Sequence, residues 1–202
     1  MFRFLLLSFF TSLLSAEEVS LFPSGSLDDW TTKGGAKWSY QDGILSGGQD
    51  GDPKRSGLLI SKASFQDFDL SLDFKIDEHG KYNSGIYLRY QDGQKGDRLQ
   101  VNIGRGAADE PVGLYLDDWL DKGDTKDKFR KPKEWNALRI KAVGSHIEVW
   151  LNGHKIVDFN DKKRLANHLK PGRLAIQTYG AEGHAGWVKF RKMKITRLSS
   201  GE

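Results

Sequence analysis

Amide, guanidinium and aromatic side chains are concentrated in residues 82–103 of this 202-residue chain. The segment begins Tyr-Asn-Ser-Gly-Ile-Tyr-Leu-Arg-Tyr and ends Arg-Leu-Gln-Val-Asn-Ile, and both halves alternate between polar and apolar residues. Such alternation predicts two strands, each with one polar face. Paired, the strands would present one hydrogen-bonding patch: Arg89, Gln100 and Asn102, bordered by Asn83 and Tyr87. Planar amides and a guanidinium fork beside aromatic rings are suited to binding sugars.

The two predicted strands are joined by residues 91–97, which include two glycines and no apolar residue, as expected of a hairpin loop. Pairing would turn the opposite face of both strands toward the core, with these side chains inward: Ile86, Leu88, Tyr90, Leu99, Val101 and Ile103. The alternative is that the polar patch is an ordinary solvated face of an antiparallel sheet.

The remainder of the chain also has the alternation of strands. Residues 68–77 alternate without a break, and Asp42-Gly43 and Asn152-Gly153 are typical type I′ hairpin turns. About a dozen short strands separated by regular turn signals predict an all-β fold, an antiparallel sandwich or jelly roll of two sheets. The one segment with helical character is residues 161–169.

Two further segments could extend the polar patch. Residues 173–179 predict a strand that directs Gln177 and Tyr179 outward. Residues 104–134 form the least regular stretch, where Tyr115, Trp119 and nearby carboxylates could border a cleft. The alternative for this stretch is a solvated loop held by one buried tryptophan.

Residues 1–16 have the pattern of a secretory signal peptide: one arginine, an apolar run and a small-residue end at Ala16. We therefore expect one domain over residues 17–202, exported to the periplasm or the extracellular space and free of the membrane after cleavage. The chain has no cysteine, so its stability cannot depend on disulfides.

Several classes of function lack their sequence signals. The net charge is +4, but the basic residues are scattered among acidic ones, so no nucleic-acid partner is expected. The five histidines are isolated, and no metal or cofactor is predicted. Two groups of acids could offer calcium ligands but have no loop signature: Asp50 with Asp52, and Asp117, Asp118 and Asp121. No pair of acids has the pattern of an ordinary glycosidase.

Several short motifs occur together in a recognisable order. They are Leu21-Phe22, Leu27-Asp28-Asp29-Trp30, Trp38 through Gly43-Ile44-Leu45, Asn83-Ser84-Gly85-Ile86-Tyr87-Leu88-Arg89, Trp135-Asn136, Trp150-Leu151-Asn152-Gly153 and Phe190-Arg191. With them the chain resembles the 3-keto-disaccharide hydrolase domain family over nearly the whole segment that follows residue 16. The resemblance implies a secreted protein with a concanavalin-like jelly roll, two antiparallel sheets and at most one or two short helices.

The resemblance also implies a substrate, a glycoside already oxidised to a ketone at sugar C3. The ketone acidifies the C2 proton, so a base can remove it, the C1 substituent departs by elimination, and water adds. This chemistry requires one base and donors that stabilise an enolate. Arg89 would be such a donor; its alternative role is a buried structural pair, for which Asp73 is a candidate partner.

Some positions depart from the family pattern. Gln100-Val101-Asn102-Ile103 stands where the family has Glu-Val-Gln-Ile, so an amide replaces an acid. Tyr179-Gly180 replaces a His-Gly pair, and His184 is a candidate substitute base. Three hypotheses follow: an enzyme acting on 3-keto-glycosides, a non-catalytic carbohydrate-binding module, and a structural adhesion domain. The first two expect a carbohydrate partner.

Overall fold

The computed structural model describes residues 17–49, 56–76, 82–93, 98–104, 110–180 and 186–199. The predicted signal segment, residues 1–16, lies outside them, as do Asp50, Asp52 and His184. Fifteen strands are found in the described part. They are β1 (Glu18–Ser20), β2 (Trp30–Gly34), β3 (Lys37–Gln41), β4 (Ile44–Gln49), β5 (Gly57–Phe65), β6 (Phe68–Ile76), β7 (Tyr82–Tyr90), β8 (Gln100–Asn102), β9 (Gly113–Tyr115), β10 (Trp119–Asp121), β11 (Asn136–Val143), β12 (His146–Leu151), β13 (His154–Asn160), β14 (Gly172–Gly180) and β15 (Gly186–Arg197).

The strands form two antiparallel sheets. Sheet A has the order β13-β12-β11-β6-β15-β4-β3, with β1 also paired to β15. Sheet B has the order β10-β9-β8-β7-β14-β5-β2. The predicted all-β jelly-roll sandwich is confirmed. The helical segment expected within residues 161–169 is a single 3-10 turn, Ala166–His168, and no helix among the described residues has the length and apolar character needed to cross a bilayer.

The core lies between the sheets and follows from the alternation of each strand. In β6 every second residue is buried, from Phe68 to Ile76. In sheet B, Ile86, Val101 and Leu114 lie opposite one another on adjacent strands and are fully buried. Each fully buried side chain of this size contributes roughly 1.5–3 kcal/mol to stability.

Turn residues fix the register at several points. Asn152 and Gly153 have φ values of 49° and 85°, as a type I′ turn requires, which confirms that hairpin. The Asn152 side chain also donates to the Phe129 carbonyl at 2.7 Å, so the turn anchors the loop before β11. A β-bulge in β15 shifts the register of its pairing with β6 between Arg191 and Lys194.

One part of the prediction for β7 is wrong. On β14, Arg173 pairs with Tyr90 and Ala175 with Tyr87, so one β14 residue faces two β7 residues, Leu88 and Arg89. This is a β-bulge, and Arg89 has a φ of 52°. Alternation breaks there, so Arg89 turns into the protein and Tyr90 turns outward, the reverse of the expected faces.

Candidate functional site

The outer face of sheet B carries the predicted polar patch. Adjacent strands place Gln177, Gly85, Asn102 and Gly113 in one row across the sheet. The next row consists of Ala175, Tyr87, Gln100 and Tyr115. Asn83 and Tyr179 are paired in the row on the other side of Gly85. The structure therefore brings these predicted residues onto one face: Asn83, Tyr87, Gln100, Asn102, Tyr115, Gln177 and Tyr179.

An amide bridge crosses the middle of this face. Gln100 Nε2 on β8 donates to Gln177 Oε1 on β14 at 2.7 Å, passing over Gly85 on the strand between them. A Cβ at Gly85 would lie 1.9 Å from Gln100 Nε2, so only glycine leaves room for the bridge. Gln100 Oε1 and Gln177 Nε2 have no hydrogen bond to other described residues and remain available to a ligand.

Asn102 has a different role from the one predicted. Its Nδ2 donates to the Gly104 carbonyl at 3.0 Å and to the Pro111 carbonyl at 2.8 Å. The residue is 3% exposed, and both amide hydrogens are engaged. Asn102 therefore ties together the two ends of the connection between β8 and β9 instead of offering donors to a sugar.

A groove of about 700 Å³ runs across the same face. Its floor includes Tyr87 and Tyr90, whose ring centroids are 6.0 Å apart, together with Leu58. Gln177 reaches the groove from the amide bridge, and Tyr179, 47% exposed, stands beside it. Flat apolar rings next to unengaged amide groups are the combination that a pyranose ring binds, since it has apolar faces and a polar edge.

Charged residues also line the groove. Lys33 binds Asp92, and the Tyr90 hydroxyl donates to the same carboxylate at 3.1 Å. These bonds lower the pKa of Asp92, and the bond to Asp92 raises the pKa of Lys33. Burial raises the pKa of Tyr90, so this phenol stays protonated near neutral pH. Arg98 and Asp117, both exposed, also line the groove.

Tyr115 and Trp119 lie next to the groove but are not part of its lining. Their rings meet edge to face with centroids 5.4 Å apart, and both are half-buried. The Tyr115 hydroxyl donates to the Asp117 carbonyl at 3.1 Å, which holds the segment that brings Asp117 to the groove. Residues 110–134 thus contain two strands, β9 and β10, and are fixed by hydrogen bonds.

A carboxyl group that sequence reasoning missed lies at the Asn83 end of the face. Glu110, half-buried, accepts a hydrogen bond from Asn83 Nδ2 at 2.5 Å. Burial raises the pKa of Glu110, and the bond from Asn83 opposes that change only in part. Asn83 Oδ1 is buried without a hydrogen-bond partner among the described residues. No periodic signal marks Glu110, because it precedes β9 and belongs to no strand.

Arg89 is not on the candidate face. It is 1% exposed and donates to three backbone carbonyls, those of Gln66, Gly144 and His168. Its Nη2 lies 3.1 Å from the Asp67 carboxylate. Burial lowers the pKa of the guanidinium, and the charge of Asp67 opposes this effect. The proposed donor role is therefore unsupported by its position.

The position of Arg89 agrees with its alternative role as a buried structural pair, but its partner is Asp67 and not the expected Asp73. Asp73 binds Arg191 at 2.9 Å on sheet A instead. The candidate base His184 lies outside the described residues.

One group of possible metal ligands occurs among the described residues, on the outer face of sheet A. Ligand atoms of His146, Glu148 and Asp158 lie within 4.8 Å of one another. The ammonium group of Lys155 binds both carboxylates, at 2.5 Å and 2.9 Å. The Lys155 ammonium group thus already neutralises these two carboxylates. Of the predicted calcium ligands, Asp118 binds Arg164 and Asp121 accepts from the Gly123 amide.

The sequence of residues 17–196 matches the profile of the 3-keto-alpha-glucoside-1,2-lyase-like domain. The chain belongs to this family. The resemblance inferred from the short motifs is thereby confirmed. No protein of curated function matches the chain.

Solved structures share the fold at low sequence identity. A putative glycosyl hydrolase from Parabacteroides distasonis is 20% identical, with a TM-score of 0.65 over 90% of this chain and 94% of its own. A protein of unknown function with a galectin-like fold from Bacillus subtilis is 14% identical, with a TM-score of 0.68 over 90% and 94%. The carbohydrate-binding module CBM66 from Bacillus subtilis is 17% identical, with a TM-score of 0.52 over 83% and 95%.

Proposed function

We propose that the protein binds a glycoside in the groove of sheet B and acts on sugars oxidised to a ketone at C3. The C2 proton is removed, the C1 substituent is eliminated and water adds to the product. One observation carries the proposal: the groove joins tyrosine rings to an amide bridge, on a chain of the 3-keto-alpha-glucoside-1,2-lyase-like family. The signal-like residues 1–16 support export as part of the same proposal.

The groove contributes binding and orientation. The rings of Tyr87, Tyr90 and Tyr179 offer apolar surfaces to the faces of a sugar, while the unengaged amide nitrogen of Gln177, held in place by its bond from Gln100, addresses a sugar hydroxyl. A sugar held in this way would have the C2 hydrogen and the C3 ketone fixed relative to the sheet. Fixed geometry of this kind lowers the barrier to proton removal.

A second function, binding without catalysis, is favoured by Gln100. The family acid at this position is replaced by an amide, which cannot act as a base, and that amide is bonded to Gln177. A carbohydrate-binding module needs only the rings and the amides.

One assay separates these functions. Purified protein is incubated with a chromogenic 3-keto-α-glucoside and, separately, with the unoxidised glucoside, while release of the aglycone is followed. The enzyme hypothesis expects release from the ketone alone. Binding of both sugars, measured by calorimetry, without any release would establish the binding module and reject the enzyme.

A further inference from the structure

The connection between β8 and β9 holds a carboxyl group against the ligand-binding face. Asn102 fixes the two ends of this connection through the Gly104 and Pro111 carbonyls. Glu110 immediately precedes Pro111, so the clamp also determines where its side chain lies. The Gly104 backbone is equally constrained, since a Cβ there would lie 2.6 Å from the Asn83 Cα.

The register of sheet B relates this carboxyl to the groove. Glu110 contacts Asn83 on β7, and Asn83 is paired with Tyr179 on β14. Paired residues on adjacent strands have their Cβ atoms about 4.5–5.5 Å apart. Tyr179 lines the groove, so Glu110, which is outside the groove lining itself, is joined through Asn83 to the strand position next to that ring.

The pairing with Asn83 suits a group that gains and loses a proton. With Glu110 ionised, Asn83 Nδ2 donates to the carboxylate, as observed. After protonation the carboxyl has an O–H to donate, and a half-turn of the amide would present Oδ1 as its acceptor. Asn83 Oδ1 has no competing partner among the described residues. Asn83 can therefore stabilise both states.

We infer that Glu110 is the base that removes the C2 proton of a 3-keto-glycoside and takes over the role of the acid that Gln100 replaces. This inference rests on the proposed function. The C2–H bond breaks, its proton moves to a Glu110 carboxylate oxygen, and its electron pair forms the enolate with charge on the C3 oxygen. As the ketone re-forms, the C1–O bond breaks and its electron pair leaves with the aglycone oxygen, which takes a proton from solvent. Glu110 then returns its proton to solvent, and water adds hydroxide at C1 and a proton at C2.

The environment of Glu110 agrees with this role. A base acts best when its pKa is close to the working pH, and burial raises the pKa of Glu110 in that direction. Among the described residues, uncharged Asn83 is the side chain that bonds to Glu110, and no charged group contributes to the pKa shift. Asp117, the carboxylate that lines the groove directly, is exposed and is the competing candidate.

The test separates proton removal from elimination. The probe is 3-keto-1,5-anhydroglucitol, which has no leaving group at C1, and uptake of deuterium at C2 is followed in D2O by NMR. Aglycone release from a 3-keto-α-glucoside is measured in parallel. Glu110→Gln should slow both by about 100-fold or more while affinity for the probe changes less than about threefold. Glu134→Gln, at an exposed carboxyl, is the matched control and should behave as wild type.

The outcomes distinguish the two proposals. Wild-type rates in Glu110→Gln, or loss of exchange in Asp117→Asn alone, would overturn the assignment of Glu110 and leave the enzymatic function standing. Absence of both exchange and release in the wild type would overturn the enzymatic function together with the base. Glu110→Asp provides a second variant, which should retain slow exchange because it keeps a carboxylate further from the sugar.

Discussion

The Gln100 side chain lies across Gly85 and donates to Gln177 two strands away, at 2.7 Å. The bond links β8 to β14 through side chains alone, over the strand that separates them. It depends on the missing side chain at Gly85, since the three atoms nearest to a methyl group at this position would all belong to Gln100.

The destabilisation caused by Gly85→Ala should therefore depend on the Gln100 side chain. The methyl group displaces the amide, which breaks the bridge, and overcrowding of this kind costs about 1–3 kcal/mol in the free energy of unfolding. In a Gln100→Ala background the same substitution should cost almost nothing, because the atoms it meets are gone. Urea denaturation of the four proteins measures the coupling. Equal costs in the two backgrounds would contradict this explanation.

Tyr179→Ala should weaken sugar binding without loss of stability. The ring is 47% exposed and lies beside the groove, so its removal leaves no cavity in the core. We expect affinity to fall about tenfold, which corresponds to ~1.4 kcal/mol. Calorimetric titration with an oligosaccharide measures the effect. Trp150→Ala, on the outer face of sheet A, is the aromatic control and should leave affinity unchanged.

Two arginine substitutions test the structural role of Arg89. Arg89 and Asp67 have side chains 0% and 5% exposed, so Arg89→Met leaves the buried Asp67 carboxylate without its counter-charge, bonded only to the Gly144 amide, and removes the donor to three carbonyls. The expected loss is about 3–5 kcal/mol. Arg139→Met, which breaks a pair with Asp69 in which the arginine is 50% exposed, should cost no more than about 1 kcal/mol. A small effect of both substitutions on unfolding would show that Arg89 is not a structural anchor.

The pH dependence of turnover should reflect Glu110. Burial raises the pKa of this carboxyl above its usual value of 4.5. A base must be ionised, so kcat/KM should rise with pH through a step above the ordinary carboxyl range. The free energy of unfolding should change with pH in the opposite direction. Because the folded state raises the pKa of Glu110, its contribution to stability is complete below pH 4.5 and is lost as the pH rises through the pKa of the folded state. Profiles of kcat/KM and of urea midpoints check both directions, and a step at or below the ordinary range would contradict the assignment.

Sequence patterns were sufficient for most of the fold because each strand buries one face. The alternation of Ile86 and Val101 identified the inward side, and with it the outward positions of Tyr87 and Gln100, while the alternation of residues 173–179 gave the outward position of Gln177. Asn152-Gly153 predicted a hairpin turn because the positive φ angles of such a turn are adopted by few residue types. Strand alternation and turn conformation depend on residues that are close together in the sequence, so the sequence pattern predicts them.

The site was harder to predict because two of its features arise from contacts between distant residues. The bulge in β7 needs one extra residue opposite β14, and nothing in the local sequence distinguishes Arg89 from a residue in regular alternation. Glu110 depends on the Asn102 clamp and on Asn83, neither of which forms a motif with it. Buried polar networks of this kind are specified by the folded chain as a whole.

The bulge also determines the electrical character of the ligand side of sheet B. In an unbroken strand the guanidinium of Arg89 would stand in the middle of the groove floor, and Tyr90 would be buried in the sandwich. The additional residue exchanges them, so the centre of the floor is an electroneutral aromatic surface while the cation is sealed inside with Asp67. Regular alternation through residues 88–90, without the bulge, would bring a fixed positive charge to the groove floor and favour acidic over neutral sugars.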